Sequence, residues 1–66
     1  MKVWTFNPDT CTFQPGGRKA LVDADVAVIR DDSDVQVVRD SGAPQRWLTG
    51  EPLIVAGCEF EREQFE

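Results

Sequence analysis

The side chains that carry most protein chemistry are scarce in this chain. Its 66 residues include no histidine and no tyrosine, two cysteines and twelve carboxylates. Without histidine there is no Ser-His or Cys-His nucleophile pair, and the commonest general base and metal ligand is missing. Carboxylates alone run glycoside hydrolysis, but only where a cleft holds two of them at a set separation. A chain this short has little surface from which to build that cleft. No catalytic residue is therefore expected, and the chain is not read as an enzyme.

Three short motifs remain to be weighed. Gly16-Gly17-Arg18-Lys19 has the glycines and cations of a phosphate loop but lacks its spacing and its terminal Lys-Ser/Thr, so it reads as a turn. Asp31-Asp32-Ser33-Asp34 has the oxygens a calcium ion takes. The sixth and twelfth positions counted from Asp31 are Gln36 and Gly42, where a calcium loop has Gly and Glu, so it reads as a solvated acidic turn. Cys11 and Cys58 cannot close a four-ligand zinc site without histidine. They are expected as free thiols, because Lys2 is followed by no apolar leader that would mark secretion. No metal and no cofactor is expected.

Charge narrows the partners. The formal net charge is −5, and of the seven basic residues only Arg18 and Lys19 are adjacent. Duplex binding rests on clustered Lys and Arg, so no direct contact with nucleic acid is expected. The longest apolar runs, Val26-Ala27-Val28-Ile29 and Leu53-Ile54-Val55-Ala56, fall far short of the ~18 residues of a membrane helix. The expected location is the cytoplasm of a cell, or the inside of a virion assembled there.

The elements that would position any site read as short strands between turn clusters. Lys2–Phe6 and Cys11–Gln14 flank Asn7-Pro8-Asp9-Thr10, a good type I turn. A two-residue loop at Pro8-Asp9 would set Phe6 opposite Cys11 and Trp4 opposite Phe13, unless a bulge shifts the register. Residues 20–30 form a third strand, with Val22, Ala24, Val26 and Val28 inward against Asp23, Asp25 and Ala27. Val35–Arg39 is a fourth. Residues 45–50 read as one helical turn or a loop. Pro52 opens a last strand in which Ile54, Ala56, Cys58 and Phe60 alternate across Gly57. The tail to Glu66 is either more strand or a short helix.

The whole chain, residues 1–66, is thus expected to be one all-β domain, a small antiparallel barrel or sandwich of about five strands. Trp4 is expected in the core on its hairpin pattern. Trp47 lies between breakers with Arg46 and Leu48 beside it, and Trp and Arg are common interface anchors. Ile29 and Val38 fall opposite the faces of their own strands, so they need cover. Phe60 and Phe65 sit among charges in a tail that frays unless docked. Arg46, Trp47, Leu48, Phe60, Phe65, Ile29 and Val38 are the expected protein interface. By elimination the chain is expected to bind other proteins as a small component of a multi-subunit assembly, such as a tailed-bacteriophage virion (capsid, connector or tail). The alternative is an acidic inhibitor that mimics nucleic acid on a basic partner.

Overall fold

A computed structural model of the protein describes residues 1–17, 19, 24–40 and 42–66. Strands β1 (Lys2–Asn7), β2 (Thr12–Gly16), β3 (Val26–Asp31), β4 (Asp34–Arg39) and β5 (Gln45–Arg46) form one antiparallel sheet in the order β2-β1-β3-β4-β5. Strands β6 (Leu53–Val55) and β7 (Cys58–Phe60) form a separate hairpin, followed by a 3-10 turn over Arg62–Phe65. The fold is all-β. Among the described residues the larger sheet ends at β2 on one side and β5 on the other.

Several elements sit differently from the sequence expectation. The first hairpin forms, but its register is Phe6 opposite Phe13 and Trp4 opposite Pro15. Its loop is Pro8–Cys11, closed by Cys11 in the left-handed region at φ 56°. The Asn7 carboxamide accepts from the Asp9 N–H at 2.9 Å, which nucleates the bend. The four-residue loop moves the register by two residues relative to a two-residue loop, so each side chain keeps its face. The third strand begins only at Val26; residues 20–23, including Val22 and Asp23, lie outside the described residues, as does Arg18. The expected single strand from Pro52 to Phe60 is instead a hairpin, because Ala56 and Gly57 both take positive φ, 51° and 79°, as a two-residue turn of the I′ kind requires. That turn buries Leu53 and Val55 and turns Ile54 outward, the reverse of the expected face. The tail resolves as 3-10 helix, with the Gln64 carboxamide accepting from the Glu61 N–H at 2.8 Å.

The core lies between the large sheet and the C-terminal hairpin. Val26 and Val28 of β3 and Val35 of β4 meet Leu53, Val55, Trp47 and Phe65, with Trp4, Phe6, Phe13, Val37 and Phe60 packed around them. Phe65 is the hub: its ring stands edge-on to Trp4 and Phe13, both at 5.2 Å, and tilts against Trp47 at 5.5 Å. Such aromatic pairs add about 0.5–1.5 kcal/mol each beyond burial. Arg62 holds the 3-10 helix down, donating to the Ser33 carbonyl at 2.8 Å and pairing with Glu66 and Thr49.

Cys11 and Cys58 are joined in a disulfide, not free, with Cα atoms 6.8 Å apart. The tip of the first hairpin and the start of β7 meet beside the edge-to-face pair of Phe13 and Phe60, whose rings lie 4.8 Å apart. Topology therefore supplies the proximity that the two positions in sequence do not reveal.

The 47-residue separation puts the stabilisation from this bridge at about 4 kcal/mol by loop entropy. Alkylation without reductant is expected to leave the chain's mass unchanged. Cys11→Ser with Cys58→Ser should lower the unfolding free energy in urea by about 2–4 kcal/mol. Two alkyl adducts on unreduced protein would refute the bridge. Ala56→Asn is expected to raise the same free energy by about 1 kcal/mol, since Asn tolerates the left-handed region better than Ala; a loss of stability would contradict the turn assignment.

Candidate protein interface

The ladder between β4 and β5 decides where the expected interface residues point. Gln36 lies opposite Arg46 and Val37 opposite Gln45, and the Trp47 N–H continues the ladder to the Val35 carbonyl at 2.8 Å. The segment after Pro44 is thus extended, neither helical turn nor free loop. Alternation along it sends Gln45 and Trp47 to the core side and Arg46 to the other. Leu48, two residues beyond Arg46, follows the same alternation.

Trp47 is consequently a core residue, 4% exposed. Its indole N–H donates to the Glu51 carbonyl at 2.7 Å, which satisfies the only polar atom of the ring. The carbonyl is delivered by a turn over Leu48–Glu51, in which the Glu51 N–H reaches the Leu48 carbonyl at 3.2 Å and Gly50 takes φ 90°. A positive φ at the third turn position needs glycine. Phe65 is likewise buried, and Phe60 is half-buried against the same cluster. These three rings pack against the interior, Trp47 and Phe65 buried and Phe60 half-buried. Trp4 is half-buried on the core side.

Of the other four expected residues, Ile29, Val38 and Arg46 fall on one sheet face. Ile29 pairs with Gln36, which pairs with Arg46, so one row crosses β3, β4 and β5 on the face turned away from the core cluster. Val38, opposite Ala27, lies in the adjacent row of the same face. Val3 and Ala27 on this face are buried, while Ile29 and Val38 are half-buried. Arg46 and Leu48 are exposed at its margin, Leu48 at 52%. The guanidinium of Arg46 lies 3.8 Å from the Asp34 carboxylate, an exposed pair of little energetic weight.

Sequence reasoning missed a second surface. Ile54 is 56% exposed on the outer side of the β6–β7 hairpin, directly opposite Glu59. Glu51, Glu59, Glu61 and Glu63 line one shallow concavity there, with Gly50 and Pro52. The signal available was Ala56-Gly57: read as a turn, it would have reversed the face. A separate groove of about 380 Å3 runs beside β5, bordered by Val37, Arg39, Gln45, Pro52 and Leu53. Among the described residues no three metal-ligating side chains converge, and no helix is long and apolar enough to cross a membrane.

Trp47→Ala is expected to destabilise the domain by roughly 3–5 kcal/mol in urea unfolding, as removal of a buried tryptophan does. Trp47→Phe should keep much of the packing and lose mainly the hydrogen bond to Glu51, about 1 kcal/mol. An unchanged unfolding midpoint for Trp47→Ala would move this ring out of the core. No protein-family model matches the chain, and no curated protein or solved structure matches it.

Proposed function

We propose that the chain is a non-enzymatic protein-binding module, a small structural or accessory component of a larger assembly such as a tailed-bacteriophage virion. The observation that carries this reading is the exposed Leu48, two residues from the exposed Arg46, at the edge of a sheet whose outer face also carries Ile29 and Val38. An exposed leucine beside a flexible cation, next to half-buried aliphatic side chains, is the composition of a contact surface with an apolar centre and a polar rim. The disulfide favours a setting outside a reducing cytosol; virion surfaces are among the places where such bridges persist.

One observation favours a second reading, an acidic inhibitor that occupies a basic site on its partner. Glu51, Glu59, Glu61 and Glu63 share a single concavity on a chain of net charge −5. Such a surface would speed association with a cationic protein and lose strength as salt rises.

The test is the native size of the tagged chain recovered from the source that makes it. The wild type is expected in a species much larger than the monomer. Leu48→Asp should release it while leaving thermal unfolding unchanged within about 0.5 kcal/mol, the usual range for an exposed site. Recovery of the wild type as monomer alone would overturn the assembly reading. Release by Glu59→Lys with Glu61→Lys, but not by Leu48→Asp, would select the acidic inhibitor.

A further inference from the structure

Two sheets leave four strand edges: β2 and β5 on the larger, β6 and β7 on the hairpin. An unprotected edge offers a row of backbone donors and acceptors to another strand. The register shows which groups face outward at each.

At β2 the alternation runs from the β3–β4 turn. The two-residue turn between Asp31 and Asp34 makes those residues a hydrogen-bonded pair, and Ile29 with Gln36 another. Val28 then bonds to Trp4, so Thr5 bonds to Gln14, and Phe13 and Pro15 face outward. Pro15 has no N–H, so this edge is blunted. At β6, Val55 and Cys58 close the Ala56-Gly57 turn, which leaves the backbone of Ile54 facing outward. The Ile54 carbonyl already accepts from the Arg39 guanidinium at 3.3 Å. This edge is partly capped.

The remaining two edges are open. On β5 the bond from Trp47 to Val35 fixes the alternation, so the Arg46 N–H and carbonyl face away from β4. On β7 the pairing of Glu59 with Ile54 turns the Glu59 N–H and carbonyl away from β6. Among the described residues neither Arg46 nor Glu59 has a backbone partner on its outer side. Both side chains are exposed, and they carry opposite charges.

We infer that β5 of one copy pairs antiparallel with β7 of a second copy, with Arg46 directly opposite Glu59. Residues directly opposite share a face of the joined sheet, so the two charges meet side by side and complete a favourable cross-strand pair. The alternatives are worse matched: β5 on β5 sets Arg46 against its own copy, and β7 on β7 sets Glu59 against its own. Because the two surfaces differ, one copy keeps a free β7 and the other a free β5 after pairing. Copies therefore add head to tail, into an open chain or a ring. An edge this short gives a weak contact, so the species grows with concentration and shrinks with salt. The inference specifies one partner for the assembly reading above; it shares Arg46 with the face used there but rests on the strand edges.

The experiment uses the purified, oxidised chain alone, followed by native mass spectrometry and sedimentation across a concentration series. The wild type is expected to form higher species that dissolve in high salt. Arg46→Glu and Glu59→Arg should each abolish them, and the doubly reversed variant should restore them. Arg46→Pro removes the outward N–H together with the guanidinium and is expected to act like the single reversals, with the tryptophan emission of the folded domain as the control. A chain that stays monomeric at its highest soluble concentration overturns the inference. So does association that both single reversals leave intact, or that the double reversal does not restore. Because no other protein is present, failure here leaves binding to a foreign partner standing.

Discussion

The fold depends on how a two-stranded hairpin and a 3-10 turn at the C-terminus are held against the larger sheet without a shared ladder. The two sheets exchange no strand pairing, so backbone hydrogen bonds stabilise each separately and hold neither to the other. What joins them is the contact of Phe65 with Trp4, Phe13 and Trp47, together with Leu53 and Val55 on the valines of β3 and β4. Side-chain burial is a main part of that attachment, at about 25 cal/mol per Å2 of apolar surface removed from water. The disulfide and the Arg62 contacts at Ser33 and Thr49 reinforce it at two points on its rim.

This arrangement explains why the large aromatic residues are used up inside. A domain of this length buries a modest share of its surface and has little margin against chain entropy. Trp47 and Phe65 contribute more buried area per residue than any aliphatic side chain present, and the seam has no substitute for them. The surface left for partners is accordingly made of small apolar and charged groups: Leu48, Ile54, Arg46 and the glutamates of the outer hairpin.

The sequence disclosed its strands more readily than their connections. The first hairpin was legible from Asn7-Pro8-Asp9 and the period-two aromatics, and its faces survived a register error because a shift of two preserves parity. The last hairpin was not, because Ala56 is an unusual residue for the left-handed region and hid the turn. The opposite placement of Ile29 and Val38 followed from alternation alone. Trp47 did not, since a two-residue strand that begins immediately after a proline gives no period to count. The bridge between Cys11 and Cys58 was misread because compartment was used as the guide; only the three-dimensional path brings the hairpin tip to β7.

The placement of the two indoles has a spectroscopic consequence. Trp47 is sealed in the seam, while Trp4 sits half-buried across Phe65 from it. A buried indole emits at shorter wavelength than one in water. Parting of the layers would wet Trp47 first in colour and Trp4 chiefly in intensity, as the Phe65 ring standing edge-on to it leaves. The protein thus carries an intrinsic optical gauge of its own inter-layer contact, readable without any added label and separable into its two sources by replacing either indole with phenylalanine.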